Sequence, residues 1–375
     1  MLDPRVTFLN HGSFGALPRE VMAAQDTIRA EIELDPVEFL VRGLPPRLEE
    51  ARAEVAAFLG AEVSGLVFVR NATEAVSATL GSVPLAPGDE ILTTNHRYGA
   101  VGMAMARRAA LSGAVVVEAE VPYPIERPAQ AVDAVAARIT DRTRLLVIDR
   151  ITSPTALILP VTEIAAIAHA AGVPVLVDGA HVPGQLPDDI SRSGADFWTG
   201  NLHKWAFAPR GTAVLWVSPA WLDRCHAAVV SHGYNQGLHK EFDWPGTYDP
   251  SGWLTAPVGL RFHARLGGRA LMAANHALVR DGRQVIANAL RMPLPHPDDA
   301  GLYGSMASVQ LPVKYDGRGV AQADALHDAL IDRERVQVPV FAWGDRLWVR
   351  VSGQVYNEPS DYVRAADALR AVLGI

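Results

Sequence analysis

The chain has 375 residues, of which 49% are hydrophobic and 20% are charged. This length predicts two domains, or one large α/β domain with a smaller one beside it. The net charge of −7, without a cluster of basic residues, argues against nucleic-acid and anionic-membrane partners. The sequence shows no signal pattern and no apolar run of membrane-spanning length, and its single cysteine is Cys225. We therefore expect a cytoplasmic protein without an internal disulfide.

Two helical patterns open the chain, and seven short apolar runs follow them. The first helical patterns are Pro18–Leu34 and Pro45–Leu59. The strand candidates are Gly65–Arg70, Glu90–Thr94, Ala114–Ala119, Arg144–Ile151, Val173–Asp178, Asp196–Thr199 and Thr212–Val217. Helical patterns between them include Gly99–Leu111, Ala129–Ile139 and Val161–Ala171. Continuous Val, Ile and Leu strands that alternate with helices predict an α/β fold with a mostly parallel, seven-stranded sheet.

The chain changes character beyond this region. The segment around Cys225, Trp221–His226, reads as helix, and Glu241–Gly252 reads as an irregular loop. Thr255–Ala289 reads as one long helix. The later elements are strands at Ala307–Pro312, Val336–Val340 and Leu347–Val351, with helices at Val320–Ile331 and Ser360–Leu373. These elements predict a smaller α+β domain beside the sheet.

Lysine is rare in this chain, and one lysine has a distinctive context. Of the 34 basic residues, three are lysines: Lys204, Lys240 and Lys314. An arginine stays protonated, whereas a lysine amine can be tuned into a nucleophile. Lys204 follows an apolar strand candidate, and Asp178 ends the strand candidate before it. A pyridoxal phosphate enzyme uses such a pair, because its lysine forms a Schiff base and its aspartate keeps the pyridine nitrogen protonated.

Several other strand candidates also end in residues that suit this cofactor. The segment Asn71–Ala75 begins a helical pattern and predicts either a phosphate site or ordinary helix capping. His96 or Tyr98 could stack on a ring, and Ser153 could meet a phenolate oxygen. Further candidates are Ala180 against the ring face, His181 at the ring's oxygen substituent and His203 at the phosphate. In open α/β sheets ligands bind at these carboxyl ends. Taken singly, each residue also has an ordinary structural explanation, but their shared order along the strand ends favours pyridoxal phosphate.

Other cofactor classes lack their sequence patterns. No Gly-x-Gly-x-x-Gly follows a strand candidate, so nicotinamide chemistry is not expected. The 12 histidines include no ligand-spaced pair on a helix, so we expect no metal site.

The motifs together resemble a known family. They are Phe8–Gly15, Asn71–Ala75, Asn95–Ala100, Thr152–Thr155, Asp178–His181, His203-Lys204 and Gly246–Asp249. They are similar to the class V aminotransferase superfamily of fold type I, and most to its isopenicillin N epimerase-like branch. The resemblance spans nearly the whole chain. It implies an N-terminal segment over the active site (1–15), a large cofactor-binding domain (16–255) and a small C-terminal domain (256–375).

The resemblance also implies a role for each residue that matches the family's motifs. Lys204 matches the residue that forms the Schiff base, Asp178 the partner of the ring nitrogen, and His96 the stacking residue, with Tyr98 as its rival. The phosphate ligands of the same subunit are matched by Ala72, Thr73, Asn201 and His203, and the phosphate ligand from the neighbouring subunit by Thr247. Arg350 matches the residue that binds the substrate carboxylate, and the residues near the substrate are Asn10, His11 and Arg42. It thus implies a homodimer with shared active sites and an amino-acid substrate.

The reaction stays open between several outcomes at Cα and Cβ of that substrate. A persulfide-forming desulfurase is not expected, because Cys225 lies too close after the lysine and the C-terminal third has no cysteine. Epimerisation needs a second acid opposite Lys204, for which Tyr98 and His11 are candidates, whereas β-elimination needs one base. We therefore favour a carbon–sulfur lyase acting on a cysteine S-conjugate. The alternatives are an amino-acid epimerase, a decarboxylating oxidative deaminase and, outside enzymes, a cofactor-free binding protein.

Overall fold

The computed structural model describes residues 2–315 and 319–375. Its strands are β1 (Thr7–Phe8), β2 (Leu66–Val69), β3 (Glu90–Thr94), β4 (Val115–Ala119), β5 (Thr143–Asp149), β6 (Val175–Asp178), β7 (Phe197–Asn201), β8 (Ala213–Val217), β9 (Met306–Lys314), β10 (Val336–Gln337), β11 (Val340–Trp343) and β12 (Arg346–Ser352). Its α-helices are α1 (Arg19–Leu34), α2 (Leu44–Leu59), α3 (Ala72–Ser82), α4 (Gly99–Ser112), α5 (Ala129–Ala136), α6 (Val161–Ala170), α7 (Leu238–Asp243), α8 (Ser251–Arg265), α9 (Arg269–Leu290), α10 (Gly319–Glu334) and α11 (Pro359–Leu373). A π-helical stretch, Glu38–Gly43, precedes α2.

All seven predicted strands of the large sheet form, in the order β2-β8-β7-β6-β5-β3-β4. The strand β8 runs antiparallel to both of its neighbours, and the other pairs are parallel. The prediction of a mostly parallel sheet is therefore confirmed. Parallel strands joined through helices end at one common edge, which is where the polar residues predicted for the site come together.

Both faces of the sheet are buried, which explains its continuous apolar strands. Along β5, Leu146 and Ile148 pack into the core that contains α2, α5, α6 and α8. Leu145 and Val147 point to the opposite core, which contains α3, α4 and α7. This alternation of side chains is the ordinary period of two along a strand.

The C-terminal part builds a second, antiparallel sheet in the order β11-β12-β9. Its core joins Val309 and Val349 to Leu369 of α11. The start of the chain belongs to the same core, because β1 pairs in parallel with β10 and Leu9 is fully buried there. The α+β character predicted for this part is confirmed. The expected division at residue 255 falls inside α8.

The single helix predicted over Thr255–Ala289 is wrong. The chain forms α8 and α9, separated at Leu266–Gly268. Gly267 has φ +117° and Gly268 has φ +55°. These are left-handed backbone conformations that glycine adopts without a Cβ clash, so the glycine pair ends the first helix.

The strand predicted over Val336–Val340 is two separate strands. Val336–Gln337 pairs with β1, whereas Val340 begins a strand that pairs with β12. Pro339, which cannot donate a backbone hydrogen bond, lies between them.

Two predictions after the lysine also need correction. The helix expected over Trp221–His226 is only a 3₁₀ turn, Pro219–Trp221, followed by irregular backbone. The amide of His226 donates to the Ser82 hydroxyl at 2.9 Å, which takes it out of a helical ladder. Only the middle of the loop expected over Glu241–Gly252 is irregular, because its first residues belong to α7 and its last residues to α8. Its first residue, Glu241, is buried.

Candidate active site

A cavity of about 440 Å³ opens at the carboxyl ends of the large sheet's strands. Its lining residues are Gly12, Ser13, Phe14, Arg70, Asn71, Ala72, Thr73, Tyr98, Asp149, Ser153, Asp178, Ala180, His181, Asn201, His203, Lys204, Arg210, Gly211 and Arg350. The sheet, the N-terminal segment and β12 all contribute to this wall. Eleven of the predicted site residues therefore meet in one cavity, although the chain between them spans most of the sequence.

Lys204 lies in the turn after β7, and its amine is placed for nucleophilic chemistry. The Nζ atom lies 3.1 Å from Nε2 of His181. Burial of the amine, and then the positive charge of Arg350, lower the pKa of Lys204 to about 7, against the opposing effects of Asp178 and Asp149. A large fraction of this lysine is therefore neutral, and hence nucleophilic, at neutral pH.

Asp178 ends β6 and is 3% exposed. One carboxylate oxygen accepts a hydrogen bond from the Ala180 amide at 2.9 Å. Burial raises the pKa of Asp178, while the Ala180 amide and the positive charge of Lys204 act in the opposite direction. The buried anion and the amine of Lys204 face the same cavity, as an aspartate that pairs with a ring cation requires.

The N-terminus of α3 forms another part of the cavity wall. Asn71 caps this helix, its side-chain oxygen accepting from the Glu74 amide at 2.9 Å. The Ala72 amide donates to Asn201 at 3.0 Å. The capping interpretation therefore holds. The phosphate interpretation is compatible with it, because the helix N-terminus still faces the cavity beside His203.

His203 is a neutral imidazole in this environment. Burial, followed by the charge of Lys204, lowers its pKa to about 4. Its Nδ1 lies 2.9 Å from the Thr212 carbonyl, which can only accept, so Nδ1 carries the proton. His203 can donate to an anion in the cavity only after a second proton arrives at Nε2.

Arg350 is a buried cation on β12, with 6% exposure. Its guanidinium donates to Ser13 Oγ at 3.1 Å and to the Ser153 carbonyl. Within residues 2–315 and 319–375, no carboxylate pairs with it. A buried guanidinium held by neutral acceptors is suited to a carboxylate that enters with a ligand.

The turn after β3 presents Tyr98, and not His96, to the cavity. His96 is fully buried and donates from Nε2 to the Val121 carbonyl at 3.1 Å, while Thr155 bonds its Nδ1 at 2.7 Å. Its ring packs against Trp343 with 4.2 Å between centroids. Tyr98 lines the cavity and is 45% exposed.

Four other predicted residues do not line this cavity. Asn10 accepts from the Ser13 hydroxyl at 2.6 Å, so it reaches Arg350 through that serine. His11 is buried behind Lys204 and bonds its backbone carbonyl. Thr247 lines a separate cavity of about 110 Å³, and Arg42 is an exposed residue that pairs with Glu38 at 3.4 Å.

Seven residues of the wall were not named individually as site candidates, and an eighth, Asn71, was included only in the segment Asn71–Ala75. The seven are Gly12, Ser13, Phe14, Arg70, Asp149, Arg210 and Gly211. The signal for Asp149 was present, because it ends the apolar run Leu145–Ile148 in the same way that Asp178 ends its own strand. Arg70 and Arg210 had no comparable signal among so many arginines.

The residues of this cavity fit pyridoxal phosphate. They provide a lysine amine of lowered pKa, a buried carboxylate in the same cavity and a helix N-terminus for a phosphate. His181 contacts the Lys204 amine through Nε2, and its buried Nδ1 has no hydrogen-bond partner in the described part of the chain, so the ring can still bond a polar group of a ligand. Fold and site together define a pyridoxal phosphate-dependent enzyme of fold type I.

Comparison with known proteins gives the family. Residues 44–323 match the family described as aminotransferase class-V. Over 391 residues the chain is 32% identical to isopenicillin N epimerase of Streptomyces clavuligerus, covering 100% of this chain and 96% of that protein. It is also 32% identical over 404 residues to putative L-cysteine desulfhydrase 1 of Oryza sativa subsp. japonica, covering 98% of this chain and 83% of that protein. The chain belongs to the class V aminotransferase family.

A solved structure shares the fold at lower sequence identity. It is the complex of a cystine C–S lyase with its reaction product, cysteine persulfide, with a TM-score of 0.79 and 20% identity. The superposition covers 98% of this chain and 97% of that one. In the part of the chain that the structure describes, no helix is long and apolar enough to span a membrane. No metal-binding group of His, Cys, Asp and Glu occurs among those residues either.

Proposed function

We propose that the protein is a carbon–sulfur lyase that acts by β-elimination on cysteine or a cysteine S-conjugate. The observation that carries this proposal is a cavity that one amine base, Lys204, lines together with the buried carboxylate of Asp178 and the buried cation of Arg350. The L-cysteine desulfhydrase named among the relatives supports the same reaction class. In the balanced reaction, substrate and water give a thiol, pyruvate and ammonia.

Bound pyridoxal phosphate supplies an aldehyde that captures the substrate amine and a ring that accepts the electron pair left at Cα. Arg350 holds the substrate carboxylate and so fixes which bond at Cα faces the ring. Asp178 stabilises positive charge at the ring nitrogen. Lys204 would be the base that removes the Cα proton. The sulfur leaves from Cβ with the electrons of the broken bond.

We assign the remaining wall residues by the part of the cavity that they line. The phosphate is held by Ala72, Thr73, Asn201 and His203. Tyr98 takes the ring-stacking position that His96 does not reach, and Ala180 lies under the ring. The ring's oxygen substituent and the substrate are bound by Ser153 and His181. This set keeps Tyr98 in preference to His96 because His96 does not line the cavity and its ring packs against Trp343.

Elimination is preferred to epimerisation because one candidate for the second acid is already engaged. His11 bonds the Lys204 carbonyl through one nitrogen and Tyr356 through the other. Burial lowers its pKa to about 4, so it holds no spare proton at neutral pH. Epimerisation remains the second candidate, because Tyr98 faces the cavity and relatives 32% and 34% identical are named isopenicillin N epimerase.

Products formed in deuterated water separate these reactions. Cysteine, cystine, other S-conjugates and isopenicillin N are each incubated with the holoenzyme. Pyruvate with thiol release supports the lyase. Deuterium at Cα with inversion and no pyruvate establishes the epimerase, and release of CO2 establishes a decarboxylating deaminase.

Three lysine variants provide the internal control for this assignment. Lys204→Ala abolishes borohydride-reducible attachment of the cofactor and nearly all turnover. Lys240→Ala and Lys314→Ala keep both, because neither residue lines the cavity. Cofactor still covalently attached to the Lys204→Ala protein would overturn the assignment.

A persulfide-forming desulfurase is not proposed. Cys225 does not line the cavity, is 1% exposed, and burial raises its pKa to about 12. Such a thiol does not provide the exposed thiolate that accepts sulfur.

We further propose a cytoplasmic homodimer in which Thr247 of each subunit reaches the phosphate of the partner's site. The resemblance to the family supports this, as does the exposed position of Thr247 outside its own subunit's Lys204 cavity. In an isologous dimer the two loops are exchanged symmetrically. Mixing Thr247→Ala subunits with Lys204→Ala subunits then restores activity, because one site of each heterodimer carries neither defect. A dead mixture of exchanging subunits, or an active monomer, contradicts the shared site.

A further inference from the structure

A second buried carboxylate lies beside Asp178 at the floor of the cavity. Asp149, the last residue of β5, is the register partner of Asp178 on the parallel strand β6. Register partners on adjacent parallel strands leave the sheet on the same face, about 5 Å apart. Asp149 is 4% exposed and lines the Lys204 cavity together with Asp178.

The two carboxylates have different surroundings. Asp178 accepts the Ala180 amide and has the positive charge of Lys204 nearby. Asp149 receives no side-chain donor within the residues that the structure describes. The guanidinium of Arg97, whose charge acts on Asp149, is already paired with Glu118 at 2.6 Å. Asp178 is therefore the better stabilised anion of the pair.

The charged groups around Asp149 in the described part of the chain act on it in different directions. From β6, Asp178 opposes its ionisation; from the segment after β3, Arg97 and the backbone of Tyr98 favour it. Lys204, from the turn after β7, is close enough for Asp149 to influence its amine. The net result of burial and of Asp178 is a pKa of Asp149 well above the usual range.

We propose that Asp149 is a positioning residue that keeps a proton at neutral pH, so that the carboxylate pair holds one negative charge and Asp178 carries it. Two buried carboxylates in one site share protons in this way because both cannot ionise without mutual repulsion. The inference deepens the proposed function and rests on the assignment of Lys204 and Asp178 as the cofactor pair.

A neutral Asp149 protects the reactivity of Lys204. If Asp149 were ionised, its charge would raise the pKa of the lysine and leave less of the free amine. The protonated acid also leaves Asp178 as the one anion that can meet a ring cation. Asp149 thus sets the charge of the site without taking part in bond breaking.

Infrared spectroscopy of the apoprotein and the holoenzyme tests this proton directly. The wild-type protein shows the carbonyl stretch of a protonated carboxyl at pH 7, and Asp149→Asn removes it. Glu90→Gln is the matched control: Glu90 is a buried carboxylate whose bonds to Thr140 and Arg142 lower its pKa, so the band persists. In Asp178→Asn the band titrates away at a lower pH, because the opposing anion is gone.

The second readout is the rate of cofactor attachment to Lys204 in the apoprotein. Replacing a neutral acid by a neutral amide leaves the pH midpoint of this rate at its wild-type value, whereas removing a negative charge from the site would move that midpoint to lower pH. Such a change, or a wild-type band with its midpoint below pH 7, overturns the proposal. The pH midpoint of the infrared band is measured on the wild-type protein. It therefore decides the question even if the Asp149→Asn protein misfolds. Neither readout depends on the substrate, so a failed lyase assay is a separate result.

Discussion

The imidazole of His11 donates from Nε2 to the main-chain carbonyl of Lys204 over 3.0 Å. Because a carbonyl can only accept, Nε2 carries the proton, and the Tyr356 hydroxyl donates to Nδ1 at 2.7 Å. The N-terminal segment therefore positions the turn that carries the reactive amine.

We expect His11→Ala to slow cofactor attachment to Lys204 and to lower stability by about 1–3 kcal/mol, because a buried carbonyl loses its donor. Stopped-flow absorbance and denaturant unfolding measure the two effects. Tyr356→Phe is the control, since it leaves the bond to Lys204 in place and gives the smaller loss in attachment rate. Equal rates for wild type and His11→Ala would show that the bond does not position the lysine.

Cofactor attachment should depend on pH through the amine of Lys204. Only the neutral amine attacks an aldehyde, and the pKa of Lys204 is lowered to about 7. The attachment rate of the apoprotein should therefore rise as pH increases through about 7 and level off above it. Arg350→Gln removes a positive charge that lowers this pKa, so its midpoint should move to higher pH. A midpoint near that of an ordinary lysine, in either protein, would contradict burial of the amine.

Asp178→Asn should keep the fold and greatly slow exchange of the substrate's Cα proton. A neutral amide cannot hold the ring nitrogen protonated, so the ring accepts electrons less readily. Proton exchange in deuterated water, followed by NMR, measures the step itself. Far-ultraviolet circular dichroism and cofactor content serve as controls for folding and loading. Exchange at the wild-type rate would move the electron-accepting role away from Asp178.

Arg350→Lys should weaken substrate binding although the charge is kept. A compact ammonium cannot reproduce a two-pronged contact with a carboxylate, and loss of one charged hydrogen bond costs about 1.5–3 kcal/mol, or roughly 10- to 100-fold in affinity. The matched control is Ser13→Ala, which removes one neutral acceptor of the guanidinium and keeps the guanidinium. An unchanged KM for a carboxylate-bearing substrate would place the clamp elsewhere.

Two helical glycines should respond in opposite ways to alanine. A Cβ on Gly282 of α9 would clash with the Tyr362 ring of α11, so Gly282→Ala should destabilise the fold by about 1–3 kcal/mol. Gly81 of α3 has nothing within 4 Å of such a Cβ, and Gly81→Ala should be neutral or stabilising by up to about 1 kcal/mol. Denaturant unfolding compares the two. Equal stabilities would show that the two helices can separate without cost.

The strands, and the positions of Asp178 and Lys204 in one cavity, were predictable because their signals are local. An apolar run ending in a carboxylate identified β6, and a rare lysine identified the turn after β7. Other features depend on partners distant in sequence. His96 has the right residue type at the right strand end, but Thr155 and Val121 engage its ring inside the protein. Residue type alone does not reveal on which side of a turn an imidazole lies.

The wall of the cavity runs from Gly12 to Arg350, and β1 completes its pairing only with β10. A nascent chain therefore carries Lys204 out of the ribosome long before the opposite wall exists. Until that wall arrives, the amine lacks the charge of Arg350 and part of the burial that lower its pKa. Stable retention of a ligand in this topology should therefore wait for the C-terminal sheet, and a chain truncated before β12 would leave Lys204 without that wall.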